Sequence, residues 1–127
     1  MSYSILIVDD SATTRAIIKR SIQLTQIATD RLGEAADGRQ ALQLLAQGGF
    51  DLVLADLNMP AMGGMEMTRR MQANPITRDI PVVIISAEPN AEKFAHDQAG
   101  VRGCLRKPFT PEAIRNLITQ VLGGADV

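Results

Sequence analysis

The side chains that could do chemistry in this sequence follow four short apolar runs. Residues 5–8, 52–55, 82–85 and 103–106 lead directly into Asp9-Asp10, Asp56, Ser86 and Lys107-Pro108, respectively. Apolar runs of about four to eight residues, separated by longer helix-like segments, are typical of buried parallel strands. Ligands of open α/β sheets bind beyond the carboxyl ends of such strands. We therefore expect three carboxylates, a hydroxyl and an ammonium group at one edge of one sheet.

This combination of groups predicts a site for a cation and a phosphoryl group. Crowded carboxylates repel one another unless a cation lies among them, and hard oxygen ligands suit Mg²⁺. A lysine and a hydroxyl beside that cation suit a phosphoryl group. Asp56 is the candidate acceptor, because a carboxylate can attack phosphorus and form an acyl phosphate when the developing charge is neutralised.

Each of these residues also has a purely structural interpretation. Asp56 alone would be an ordinary aspartate where a strand enters a turn. Asp9 or Asp10 could cap the helix that follows, and Lys107 could be a solvated lysine at a strand end. Their occurrence together at the ends of several strands favours the functional interpretation.

The motifs that carry these residues resemble those of response-regulator receiver domains of the CheY type. The matching pieces are Asp9-Asp10, Asp56-Leu57-Asn58-Met59-Pro60 with Gly63, Ser86-Ala87, and Lys107-Pro108-Phe109-Thr110. They occur in family order and nearly family spacing from Ile5 to Leu122. The resemblance implies a (βα)5 doubly wound parallel sheet of flavodoxin-like order 2-1-3-4-5.

The resemblance also implies the metal site and the phosphoacceptor. Asp56 would accept the phosphoryl group from a histidine kinase or histidine phosphotransfer protein. Asp10, Asp56 and the backbone carbonyl of Asn58 would ligate Mg²⁺ directly, with Asp9 acting through a bound water. The sequence itself does not decide which acid touches the metal.

The remaining site residues would surround the phosphoryl group. Lys107 would bind its oxygens and, without phosphate, pair with Asp56. Pro108 would follow a cis bond that aims Lys107 into the site. Ser86 would donate a hydrogen bond to a phosphoryl oxygen, and the small Ala87 would leave access. Asn58 and Glu88 would flank the approach of water and influence the dephosphorylation rate.

Composition agrees with a small signalling domain. The chain has 127 residues, a net charge of −1 and one cysteine, which predicts a single domain over residues 1–127 with a core of about 4–123 and a short tail. The charge gives no basic surface for nucleic acid. Without a signal peptide or a membrane-spanning apolar stretch, we expect no membrane insertion and a cytoplasmic location.

The predicted helices position a docking face. The first helix should run from Ala12 to about Leu24, capped by Asp10 or Ser11, with an inward stripe formed by Ile17, Ile18 and Ile22. Ala12, Arg15, Ala16 and Lys19 would face outward beside Phe109 and meet the kinase, as the resemblance implies.

Other elements are predicted from turn residues and apolar spacing. A strand is expected near 31–34, a helix ending at Gly48-Gly49, and a weakly apolar helix over 90–99. The last helix should begin after Thr110, with Pro111 in its first position, and end at Gly123-Gly124.

Cys104 departs from the family pattern. Many receiver domains have Tyr or Phe three residues before the lysine, and that ring turns inward on activation. A cysteine has no ring to rotate, so the relay to the outer helices should be weaker.

The resulting function hypothesis is a Mg²⁺-dependent phosphoacceptor that signals by binding an unknown downstream protein. It would hydrolyse its aspartyl phosphate slowly and would not be a dedicated enzyme. An interaction module or phosphate sink with little phosphorylation-dependent output is the alternative. A hydrolase of the haloacid dehalogenase type is disfavoured because the second acid expected two residues after the nucleophile is Asn58.

Overall fold

The computed structural model describes residues 2–123, whose strands form one parallel five-stranded sheet. Strands and helices alternate along the chain as β1 Tyr3–Val8, α1 Ala12–Leu24, β2 Thr29–Ala35, α2 Gly38–Leu45, β3 Leu52–Ala55, α3 Gly64–Gln72, β4 Val82–Ser86, α4 Ala91–His96, β5 Val101–Arg106 and α5 Pro111–Ile118. A π-helical segment, Thr119–Gly123, continues α5. The strand order is β2-β1-β3-β4-β5, which confirms the predicted fold class.

The central strands are apolar on both faces because helices cover both. Alternate residues of β1, β3 and β4 enter two separate apolar clusters. Leu6, Val53 and Ile84 pack towards α2, α3 and α4. Ile7 and Leu54, by contrast, pack towards α1 and α5. This two-sided burial explains why the strands appear in the sequence as continuous apolar runs and not as alternating ones.

The first helix has the predicted bounds but a different inward face. Ser11 is its N-cap, and the Ser11 hydroxyl accepts a hydrogen bond from the amide of Thr14 at 3.1 Å. Its buried residues are Ile18, Ser21 and Ile22. Ile17 was expected to face inward and is 55% exposed, so that prediction is wrong. Successive residues of a helix are rotated by about 100°, which turns Ile17 away from the sheet when Ile18 faces it.

The boundaries of three other elements differ modestly from those predicted. β2 is longer than residues 31–34, and α4 is shorter than 90–99. α2 ends at Leu45, and Gly48 and Gly49 follow with φ of 80° and 91°. These are left-handed values that glycine adopts without steric cost.

The last helix begins as predicted. The Thr110 side chain accepts a hydrogen bond from Ala113, and Pro111 occupies the first position. The predicted end at Gly123-Gly124 falls partly outside the described residues, since Gly124 is not among them. Within residues 2–123, no helix is both long and apolar enough to cross a membrane.

Candidate phosphoryl and metal site

Three carboxylates meet at the carboxyl ends of β1 and β3. These strands are neighbours, with Val8 paired to Ala55, so the residues that follow them lie side by side. One carboxylate oxygen from each of Asp9, Asp10 and Asp56 lies within 4.8 Å of the others. Asp9 is only 2% exposed, Asp56 is partly buried, and Asp10 is exposed. The cluster therefore extends from the protein interior to the surface.

Asp9 is held on both sides of its carboxylate. The amide of Ser11 donates a hydrogen bond to Oδ1 at 2.9 Å, and the Lys107 ammonium lies 2.9 Å from Oδ2. Lys107 is farther from Asp56, at 3.5 Å. The expected pairing of Lys107 with Asp56 is therefore present, but the shorter ion pair is with Asp9. Asp9 is the more buried of the two carboxylates, and a buried charge is costly unless it is paired.

The backbone of Lys107 is anchored to the neighbouring strand. Its amide donates to the carbonyl of Ser86 at 3.0 Å, and the bond to Pro108 is cis, as the family resemblance implied. Burial lowers the pKa of Lys107, but its hydrogen bond to Asp9 and the charges of Asp56 and Asp9 outweigh burial and raise the pKa overall. The ammonium is therefore a permanent positive charge at neutral pH.

The environment of Asp56 disfavours the ionised form of its carboxylate and raises its pKa. Burial raises its pKa and the charge of Asp9 raises it further, whereas Lys107 and the amides of Leu57 and Asn58 lower it by a smaller amount. An incoming cation would offset this cost, since a positive charge beside a carboxylate favours its ionised form.

An open cleft of about 280 Å³ gives access to Asp56. Its walls are Asp56, Asn58, Ser86, Ala87, Glu88, Pro89 and Lys107. Ser86 is buried, and its oxygen accepts a hydrogen bond from the amide of Glu88 at 3.0 Å. The hydroxyl hydrogen can then donate to a ligand oxygen. The structure thus brings together the candidate acceptor and the candidate phosphoryl-binding residues that the sequence singled out.

The donor set fits a hard divalent cation. Three carboxylates that converge without an equal number of positive charges suit a cation such as Mg²⁺, which binds through one or two carboxylates and keeps several waters. Exposure of Asp10 leaves room for those waters. The ligation by the backbone carbonyl of Asn58 stays a prediction.

The predicted docking face is only partly exposed. Ala12 and Ala16 are exposed, and the Lys19 side chain is 40% exposed. Arg15 was expected to face outward, but its side chain is only 17% exposed because the guanidinium turns towards Glu34 and the backbone of Asp9. Phe109 is half-buried against the α1 and α5 side of the core.

Sequence reasoning missed two features around α1. Glu34, the next-to-last residue of β2, accepts from Arg15 and pairs with Lys19, yet it was not singled out. Its position beside β1 in the predicted strand order could have indicated this. Exposed Ile17 was assigned to the core, and only the rotation of the helix reveals its true position.

Cys104 is a residue of β5, next to β4, and it packs on the side of the sheet that α4 covers. It pairs with Ile84 and is half-buried, and burial together with the charge of Glu92 raises its pKa. It is therefore a neutral thiol. A cavity of about 90 Å³ touches both Ser86 and Cys104, and a larger groove of about 550 Å³ along α4 and β5 also includes Cys104. A cavity, and not an aromatic ring, therefore lies next to Ser86 and Cys104.

Comparisons with known proteins agree on one family. The sequence profile named response regulator receiver domain matches residues 5–119. The chemotaxis protein CheY of Pseudomonas aeruginosa is 36% identical over 118 residues, which are 92% of this chain and 94% of that protein.

Solved structures give the same result. The chemotaxis protein CheY4 of Vibrio cholerae, crystallised at low pH, superposes with a TM-score of 0.82 at 30% identity, covering 96% of this chain and all of that one. The receiver domain of sensor histidine kinase PA1611 from Pseudomonas aeruginosa has a TM-score of 0.85 at 24% identity, covering 97% and 99% of the two chains. That structure has a magnesium ion coordinated in its active site cleft, and its likeness to this chain concerns the fold.

Proposed function

This chain belongs to the response regulator receiver domains, and we propose on that premise that Asp56 accepts a phosphoryl group in a two-component system. The observation that carries the proposal is the convergence of the Lys107 ammonium with Asp9 and Asp56 at an open cleft. The donor would be the phosphohistidine of a sensor histidine kinase or of a histidine phosphotransfer protein.

The residues of the cleft suggest how the transfer takes place. A carboxylate oxygen of Asp56 attacks the phosphorus, the phosphorus–nitrogen bond breaks, and its electron pair returns to the imidazole of the donor. Lys107 lies close enough to exchange part of its interaction with the carboxylates for the new phosphoryl oxygens. Ser86 offers its hydroxyl hydrogen to another of these oxygens.

Asp9, Asp10 and Asp56 are the side chains that would hold Mg²⁺. When bound, the ion would neutralise charge on the phosphoryl oxygens. This assignment is supported by the hard oxygen donors and by the mutual repulsion of the acids when no cation is bound.

We propose that the chain acts as a signal carrier and not as a dedicated enzyme. Water that passes Asn58 and Glu88 at the rim of the cleft would slowly hydrolyse the aspartyl phosphate. The output would be altered binding of a downstream protein, without direct contact to nucleic acid, and a cytoplasmic location remains part of this proposal.

A second candidate function is an interaction module whose output depends little on phosphorylation. The observation that favours it is the cavity lined by Ser86 and Cys104. Because side-chain packing is interrupted there, a change at Ser86 would have less effect on α4 and β5. Partner binding by wild type and by Asp56→Asn would distinguish the two candidates, since only a phosphorylation-dependent output needs Asp56.

Phosphotransfer labelling tests the proposed function. Asp56→Asn should abolish labelling by acetyl phosphate and by a phosphorylated kinase in the presence of Mg²⁺, because Asn lacks the nucleophilic carboxylate. Asp79→Asn, at an exposed acid outside the cleft, is the matched control and should retain full labelling. Labelling of Asp56→Asn at the wild-type stoichiometry would overturn the assignment.

A further inference from the structure

Arg15 connects the outer face of α1 with the acidic site. Its Nη1 donates to the backbone carbonyl of Asp9 at 2.6 Å, and its Nε donates to Glu34 at 3.0 Å. A guanidinium presents several donors in a planar fork, so two acceptors fix its orientation as well as its position. The side chain is largely removed from solvent.

Arg15 contacts the peptide bond that joins Asp9 and Asp10, two acids of the site. The amide of Asp9 donates to Ala35 of β2, and the side chain of Asp9 is held by Ser11 and Lys107. The carbonyl of Asp9 belongs to the peptide bond between Asp9 and Asp10. The orientation of this peptide therefore sets the position of the Asp10 Cα, from which the exposed carboxylate extends. Arg15 supplies a hydrogen bond to this carbonyl.

Glu34 holds the other end of the guanidinium. It lies near the carboxyl end of β2, opposite Ile7 of β1, and also pairs with Lys19 at 3.6 Å. Its negative charge compensates part of the positive charge that Arg15 brings towards a cation site. The pair can therefore fix a backbone segment beside the acids at a reduced electrostatic cost to cation binding.

We propose that Arg15 is a positioning residue of the acidic site, held by Glu34, and that it increases cation affinity by fixing the Asp9–Asp10 peptide. This inference rests on the proposed function because it assumes that the three acids bind Mg²⁺. It differs from the sequence-based expectation, which placed Arg15 on the surface that meets a kinase.

The decisive variant is Arg15→Lys. Lysine keeps the positive charge but loses the fork that serves Asp9 and Glu34 together. We expect the dissociation constant for Mg²⁺, measured by calorimetric titration with MgCl₂, to rise about tenfold, as is typical when a residue that orients metal ligands is replaced. Arg20→Lys makes the same chemical change at an exposed position of the same helix and should leave the dissociation constant unchanged.

A double-mutant cycle tests the role of Glu34. Glu34→Ala should weaken Mg²⁺ binding in the wild-type chain but have little further effect in Arg15→Lys, because the two residues act as a unit. Additive effects would overturn the claim that Glu34 acts through Arg15. Circular dichroism of each variant without Mg²⁺ checks that the fold is retained.

The outcomes separate this inference from the proposed function. If the wild type binds Mg²⁺ and Arg15→Lys binds it equally well, the positioning role is wrong and the metal site stands. Equal weakening by Arg15→Lys and Arg20→Lys would also contradict a positioning role. If the wild type itself fails to bind Mg²⁺, the proposed metal site is wrong and the inference falls with it.

Discussion

At the scale of residues, the three acids of the site occupy three different environments. Asp9 is buried and paired with Lys107, Asp56 is partly buried and opens into the cleft, and Asp10 is exposed. Burial is the largest influence on Asp56 and raises its pKa. The residue best placed to meet a phosphoryl group therefore carries an energetic cost in the metal-free protein.

Removal of the Asp56 charge should stabilise the metal-free fold at neutral pH. The folded-state pKa of Asp56 is raised, so its protonation favours the folded state, and the stability that this proton confers is lost as the pH rises through the folded pKa. Asp56→Asn should thus have a higher free energy of unfolding than wild type at pH 7. The difference should shrink as the pH falls through the folded pKa towards about 3.9, the pKa of an unfolded aspartate, because Asp56 of the folded wild type is then protonated and no longer carries the buried charge.

Urea denaturation with EDTA at both pH values measures this effect. Saturating Mg²⁺ should reverse the order at pH 7, because the cation binds the wild-type carboxylate in the folded state. An Asp56→Asn variant that is less stable than wild type at pH 7 without metal would contradict a balance in which burial outweighs the attraction of Lys107.

Lys107 has a structural role that the sequence did not indicate. Lys107→Ala would leave the buried Asp9 carboxylate without its ion pair, at a cost of about 1–3 kcal/mol in the free energy of unfolding. Lys93→Ala, at an exposed lysine of α4, is the matched control and should change stability by less than about 0.5 kcal/mol. Denaturant melts without Mg²⁺ measure both, and equal stability of the two variants would show that Lys107 does not stabilise Asp9.

At the scale of elements, the sequence predicted which strands and helices exist better than how their faces turn. The buried strands were recognisable because helices cover both faces of the sheet, so every residue of their apolar runs is buried. The inward face of α1 was not, because isoleucines at 17 and 18 both fit an apolar stripe and only packing chooses between them. For the same reason, the direction of Arg15 depends on Glu34 of another element.

The exposed part of α1 still suits a docking helix of the phosphodonor. Ala12 and Ala16 are small and exposed, and the exposed Ile17 adds apolar surface. Ala16→Glu should slow transfer from the cognate kinase about tenfold or more, because it places a bulky charge on this surface, and should spare labelling by acetyl phosphate. Ala73→Glu, at the exposed C-cap of α3, is the control. Equal loss with both phosphodonors would show that the substitution affects the site or the fold instead.

At the scale of the whole molecule, the question is how far a change at Asp56 travels. The site itself was predictable because parallel topology brings strand ends together whatever the details of packing. The cavity between Ser86 and Cys104 was not predictable in size or position, since it depends on how α4 packs. Atoms that line a void lack contacts on one side, so a shift of the Ser86 side chain would not be passed to Cys104 by direct packing.

We therefore expect phosphorylation to act mainly near the site. A ligand shifts a conformational equilibrium only through interactions that differ between the two states, and Cys104 provides no ring to supply them. Beryllofluoride with Mg²⁺ should change the amide chemical shifts of Asp56, Ser86 and residues 88–94 more than those of residues 114–122. Asp56→Asn, which lacks the carboxylate expected to bind beryllofluoride, should show none of these changes.

Cys104→Tyr provides the matched test, because the neighbouring cavity and the groove along α4 and β5 offer space for a ring. If the missing aromatic side chain limits the relay, this variant should extend the beryllofluoride-dependent shifts to residues 114–122 while leaving labelling of Asp56 intact. Large changes along 114–122 in the wild type would show that the signal reaches α5 without an aromatic residue. Output would then depend on the packing of the sheet itself, and partners could bind as far from the phosphoryl group as the outer surface of α5.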